Sequence, residues 1–143
     1  MLVLQSLWGW FESLRSAAEQ ASTHGFDGLE CNVMHPCLQG VDAAEVRQLL
    51  SAHGLVLILE ITTGGDYTPD LADGPQRHLQ QLEDLLGRAH ALEPLKINLI
   101  TGSDSWPEPE QHRFLEAVLD RSEAGPCPVM VETHRSRSLF NPW

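Results

Sequence analysis

The residues best equipped for chemistry gather near the end of the chain, in Val129-Met130-Val131-Glu132-Thr133-His134-Arg135. The apolar run reads as a short buried strand that ends in a carboxylate, an imidazole and a guanidinium. Glu132 and His134 are two positions apart, so extended backbone sends both side chains the same way. That suits a carboxylate–imidazole pair in one pocket, with a lone surface histidine as the alternative. Arg135 and Arg137 have the fork geometry that holds phosphate or carboxylate by charge-assisted hydrogen bonds. Alternatively they only offset the excess of acid.

Similar signals punctuate the rest of the chain. Trp8, Glu30, Glu60 and Asn98 stand at or near the ends of apolar runs, and Asp104 lies in the polar loop 101–106. In alternating α/β proteins, the carboxyl ends of strands are where ligands bind. Glu30, Glu60 and Asn98 are candidates for hydrogen bonds to a polyol. Glu60 sits within Leu59-Glu60-Ile61, so its burial requires a partner. Trp8 offers an apolar wall for a sugar face, or is a packed rim aromatic. Asp104 either touches ligand or fixes its own loop.

The elements that must position these residues follow from periodicity. Strands are predicted over 2–8, 28–33, 55–62, 95–100 and 129–132, and helices over 11–24, 43–53, 75–91 and 108–123. The first helix places Phe11, Leu14, Ala18 and Ala21 on one face. Asp42 with Glu45 three residues later forms a capping-box pattern, and Pro75 suits a first helical position. The run 55–62 is apolar almost throughout, as in a strand buried on both faces. The order βαβαβαβαβ means a parallel sheet with right-handed crossovers. Both an open doubly wound sheet and a (β/α)8 barrel use this alternation. A dinucleotide fold would carry a glycine-rich turn after the first strand, but Trp8-Gly9-Trp10 stands there instead. Polar or aromatic residues at most strand ends favour a barrel rim.

Bulk properties narrow the function. A chain of 143 residues fits one domain, and 9 basic against 20 acidic residues give a net charge of −11. That charge argues against nucleic acid and anionic membranes as partners. No basic leader precedes an apolar segment, and no run reaches the ~20 apolar residues that span a bilayer. Three widely spaced cysteines point to a reducing cytoplasm. Cys31-x-x-x-His35-x-Cys37 has the ligand types of a zinc site but no second cluster to complete one. The simpler reading is one strand cysteine with two loop residues. His24, His53, His78, His90 and His112 read as surface or helix-capping residues, His78 least clearly so.

Phe26-Asp27-Gly28-Leu29-Glu30 resembles the Gly-Phe-Asp-Gly-apolar-Glu segment of the xylose isomerase-like TIM-barrel superfamily. Ile97-Asn98 through Trp106 and Glu132-Thr133-His134-Arg135 are similar to segments of its sugar phosphate isomerase/epimerase branch. The resemblance implies an incomplete (β/α)8 TIM barrel over residues 1–143, with about five parallel strands and four helices, truncated after the fifth strand. It implies metal-assisted isomerisation of a sugar or sugar phosphate, with Mg2+, Mn2+ or Zn2+ as cofactor in the intact family and Glu132 as the first metal ligand. Ligands from later strands have no counterpart here. Ile100 stands where many relatives carry histidine, and it neither binds metal nor moves a proton. The expectation is therefore impaired activity and possible loss of the cofactor. The alternative is a non-catalytic α/β module that oligomerises or binds a small polyol. An endonuclease IV-like activity is disfavoured by the acidic balance and by Ile100. Two open sheet edges and an apolar interior without its usual partners predict a homo-oligomer.

Overall fold

The computed structural model describes residues 1–140. Five strands alternate with four helices: β1 (Leu4–Ser6), α1 (Leu14–Thr23), β2 (Gly28–Asn32), α2 (Ala43–Ala52), β3 (Val56–Thr62), α3 (Pro75–Ala91), β4 (Lys96–Ile100), α4 (Glu108–Glu123) and β5 (Val129–Val131). A single 3-10 turn, Pro36–Leu38, lies between β2 and α2. All neighbours pair in parallel, and the spatial order equals the chain order. A doubly wound sheet reverses its strand order at a switch point. This one never does, so the architecture is that of an incomplete (β/α)8 barrel with an open sheet.

Strand alternation separates two faces. Leu29, Leu57, Leu59, Ile61, Ile97 and Leu99 join Leu14, Ala17, Val46, Leu82 and Phe114 from the helices in one core. The intervening residues form the inner face in layers set by register. One layer holds Ser6, Glu30, Ile58 and Lys96; the next holds Asn32, Glu60, Asn98 and Met130. The inner face is thus largely polar, contrary to the apolar interior expected. Ile58 and Ile100 are its buried aliphatic residues.

Local boundaries differ where tertiary contacts decide. The first helix begins at Leu14 rather than Phe11, because Ser13 caps it by accepting from the Ser16 N–H at 3.2 Å. Phe11 consequently stands 95% exposed instead of in the core. β1 is shorter than predicted, since its pairing with β2 covers only Leu4–Ser6. Asp42 caps α2, and Pro75 opens α3, as expected. His24 and His53 are the C-caps of α1 and α2.

Gly28 is required by close approach. A Cβ there would lie 2.4 Å from the Val56 carbonyl oxygen and 2.6 Å from Val56 Cγ2. The backbone of β3 cannot retreat without losing the pairing that aligns Glu30 with the rest of the inner face. Gly28→Ala is expected to lower stability by about 1–3 kcal/mol, as overpacking does. Urea unfolding with an unchanged m-value is the check, and wild-type stability would refute the packing argument.

Candidate functional site

The inner face ends at a pocket of about 210 Å³ at the carboxyl ends of the strands, lined among others by Trp8, Glu30, Asn32, Glu60, Tyr67 and Glu132. Other grooves are larger; two of them, about 790 and 800 Å³, lie at the amino ends of β3 and β4 and between α1 and α2. Neither gathers carboxylates and amides toward one point, so chemistry singles out the smaller pocket.

Amides set the two inner carboxylates. Asn98 Nδ2 donates to Glu30 Oε1 at 3.0 Å, and Asn32 Nδ2 donates to Glu60 Oε1 at 3.1 Å. Tyr67 OH also donates to Glu60 Oε1, at 3.3 Å. Burial, reinforced by the Glu60 charge, pushes the Tyr67 phenol above its ordinary range, so it stays a donor. Each carboxylate is half-buried and satisfied through one oxygen. Glu60 thus has the partners its burial required.

Of the predicted residues, Trp8, Glu30, Glu60 and Glu132 line the pocket, and Asn98 reaches it through Glu30. Trp8 is 80% exposed, a wall rather than a packed rim residue. His134 lies at the margin, its ring 5.7 Å from that of Tyr67. Its Nδ1 donates to the Arg135 carbonyl at 3.0 Å, which leaves Nε2 as the acceptor nitrogen.

Three residues are placed elsewhere. Arg135 is exposed and is not part of the pocket wall. Asp104 is exposed in its loop; its N–H donates to the Ser136 carbonyl at 3.3 Å. Arg137 is fully buried, and its guanidinium is consumed by main-chain carbonyls: Thr63 at 2.7 Å, Gly102 at 3.2 Å, Tyr67 at 3.3 Å, and Asp66. It binds the loops together rather than a phosphate. Desolvation lowers its pKa, partly countered by Asp66.

His78 is also buried rather than on the surface. The Gly102 N–H points at its Nδ1 at 3.3 Å, so Nδ1 is the acceptor and also takes the Thr63 hydroxyl at 2.8 Å. Thr101 Oγ1 continues the chain at 2.6 Å from Thr63 Oγ1. The ring stands edge-on to Trp106 at 5.0 Å. This network and Arg137 hold the loops after β3 and β4 against each other.

Sequence reasoning passed over Asn32, Tyr67 and His35 as pocket residues. Tyr67 is the single tyrosine in the chain and follows a strand that carries a carboxylate, which is the only signal it gives. Asn32 shares the inward parity of Glu30.

The donor set does not fit a metal centre. Among the described residues no group of three histidines, cysteines or carboxylates is arranged to hold an ion. Glu30 and Glu60 are turned to amide and hydroxyl donors, and Glu132 is an exposed carboxylate on the pocket wall. Among the described residues no helix is long and apolar enough to cross a membrane.

No family model and no curated protein matches the sequence. Solved structures do match. The probable 3-DHS dehydratase AsbF from Bacillus anthracis aligns with a TM-score of 0.69 at 15% identity, over 99% of this chain and 60% of that one. The IOLI protein with a binding zinc atom aligns with a TM-score of 0.72 at 11% identity, over 97% of this chain and 54% of that one. D-allulose 3-epimerase from Methylomonas sp., in complex with D-allulose, gives 0.64 at 15% identity, over 93% and 51%. The likeness is one of fold, that of the (β/α)8 TIM barrel. This chain spans about half to three-fifths of the length of those structures.

The His78 network generates a pH dependence. Desolvation, with help from the Arg137 charge, lowers His78 from its ordinary 6.5 to about 4. The folded state therefore binds the proton less well than the unfolded state, and its stability falls as pH drops from 6.5 to about 4. The loss attributable to His78 is about 3 kcal/mol at most. Urea unfolding across that window should show a shallower pH slope in His78→Gln than in wild type. Parallel slopes would refute the assignment.

Proposed function

We propose that this chain is the sugar-gripping portion of a barrel of the sugar phosphate isomerase/epimerase kind, and that by itself it binds a sugar or polyol more readily than it converts one. The observation that carries this reading is the pair Glu30 and Glu60. Each is braced through one carboxylate oxygen by an asparagine amide, at the foot of a wall formed by Trp8 and Tyr67. Braced carboxylates accept from vicinal hydroxyls through charge-assisted bonds, and an aromatic face covers the C–H side of a sugar ring. The solved structures of like fold include enzymes described with D-fructose and D-allulose, which supports a ketose as ligand.

Conversion of such a ligand requires a proton to move next to a carbonyl. In this chain His134 Nε2 and Glu132 are the groups at the pocket margin with capacity to accept one. A divalent ion would polarise the sugar oxygens. Glu132 is the one residue here proposed to reach such an ion, and the described residues do not complete its coordination. Residues 1–143 act on this reading as one partial-barrel domain, a cytoplasmic protein with no nucleic-acid or membrane partner.

Two experiments test the reading. D-allulose or D-fructose titrated into the purified chain, followed by NMR or calorimetry, should bind in the millimolar range or tighter. Glu60→Gln should weaken that binding about tenfold or more, the usual cost of losing a hydrogen bond to a charged group. No detectable binding by wild type would sink the proposal. Mn2+ titration then separates the two classes. Micromolar binding lost in Glu132→Ala would favour an enzyme over a polyol-binding module.

The open sheet also bears on assembly. Among the described residues no strand pairs with the outer sides of β1 and β5, and Met130 on the inner face is 55% exposed. We propose a homo-oligomer formed through these edges. Sedimentation should give a species larger than a monomer. A clean monomer that unfolds cooperatively would contradict it.

A further inference from the structure

The segment after β5 carries a buried guanidinium that the sugar reading does not use, yet it holds a residue that reading depends on. Arg137 Nε donates to the Tyr67 carbonyl at 3.3 Å, and Nη2 donates to the neighbouring Asp66 carbonyl. Nη1 donates to the Thr63 carbonyl at 2.7 Å and to the Gly102 carbonyl at 3.2 Å. Asp66 and Tyr67 form the tip of a loop that closes on itself below them. The Asp70 N–H donates to the Gly64 carbonyl at 2.7 Å, and Gly65 bridges to Pro69. One guanidinium thus holds the loop tip and its root at Thr63 together.

This loop is what brings Tyr67 to the pocket. Tyr67 lies beyond the end of β3, where no strand register places it, and its hydroxyl still reaches Glu60 Oε1 at 3.3 Å. The His134 ring, from the same segment as Arg137, stands 5.7 Å from the Tyr67 ring. The Arg137 N–H donates to the His134 carbonyl at 3.0 Å, so one turn sets both side chains. That turn is itself seated. Ser138 Oγ donates to the Ser103 carbonyl at 3.3 Å, and Gly102 leaves it room, since a Cβ there would meet Ser138 Oγ at 2.1 Å.

We propose that Arg137 is a positioning residue of the polyol pocket: without touching ligand, it fixes the loop tip so that the Tyr67 hydroxyl stands on Glu60 and its ring lines the wall. The proposal rests on the sugar reading for its ligand and on Arg137 alone for its geometry. Filling space does not account for this residue. An aliphatic side chain would pack at the same place without the cost of desolvating a charge. It would also leave the Asp66 and Tyr67 carbonyls without their donor and give the tip no fixed direction. Lysine keeps the charge but not the planar fork, and a point charge cannot serve carbonyls of two loops in fixed directions. Tyr67 is the single tyrosine of the chain, so its phenol reports on the loop without labelling. Burial, with the Glu60 charge, raises that phenol above its ordinary range only while the tip is held in place.

The test compares the full chain with Arg137→Lys, Tyr67→Phe and the double variant, each checked for folding by circular dichroism. Followed by phenolate absorbance, Tyr67 should titrate above about 10 in wild type and return toward that value in Arg137→Lys. D-allulose binding, measured by calorimetry, should weaken about fivefold or more in each single variant and no further in the double variant, as for two residues acting through one contact. Additive losses, or a wild-type phenol titration in folded Arg137→Lys, would overturn the proposal. A phenol that moves in a chain whose wild type binds no sugar would uphold Arg137 as the holder of Tyr67 and sink the sugar reading alone. A further measurement leaves Arg137 unchanged and so survives a failure of Arg137→Lys to fold. Coupling between two groups is reciprocal, so Tyr67→Phe should speed hydrogen exchange at Arg137 Nε–H severalfold in arginine-labelled protein. An unchanged exchange rate would count decisively against the proposal.

Discussion

A buried cation with no ion-pair partner among the described residues organises the carboxyl end of this sheet. Arg137 lies after the last strand, yet its guanidinium donates to carbonyls of Thr63, Asp66, Tyr67 and Gly102. Burying an unpaired charge is costly unless dipoles replace its water. Here four carbonyl dipoles from the loops after β3 and β4 do so. Those loops can leave Arg137 only by stranding the charge, so the C-terminal segment, the β3 loop and the β4 loop form one unit. Tyr67 is fixed through its carbonyl in that unit, and its hydroxyl reaches Glu60. The brace on the inner carboxylate is therefore anchored from the far end of the chain.

The same cation adds to what burial does at His78. Desolvation first, and then the nearby positive charge, disfavour imidazolium. As a neutral ring with Nδ1 unprotonated, it accepts from Thr63 and from the Gly102 N–H, which joins the two loops a second time. Gly64 makes room for it: a Cβ there would meet His78 Nε2 at 2.0 Å. Charge, tautomer and backbone conformation thus depend on one another, and each would be altered by changing the others.

The inner face shows how a parallel sheet carries polar groups without penalty. Glu30 with Asn98, and Glu60 with Asn32 and Tyr67, are satisfied across strands. In parallel register a carboxylate on one strand meets an amide two strands away or next door. The open face is consequently mixed rather than greasy, and the exposed apolar area on it is concentrated in residues such as Trp8 and Met130.

The order of elements, the parallel sheet, the carboxylates Glu30 and Glu60 and the capping residue Asp42 were all legible in the sequence, because periodicity, strand parity and capping are local properties. Even the choice of barrel over doubly wound sheet was foreshadowed by the two indoles after the first strand. The partners of those carboxylates were not legible. Glu30 and Asn98 are separated by 68 positions, and Arg137 reaches Thr63 across 74. Arg137 and a surface arginine look alike along the chain, as do His78 and an exposed helical histidine. Burial is set by what the fold lays over a residue, and no local pattern records it. The sequence by itself therefore determined which groups end the strands; only the tertiary structure decided which of them face the pocket and which hold its loops, since desolvation and long-range hydrogen bonding exist only once the sheet has formed.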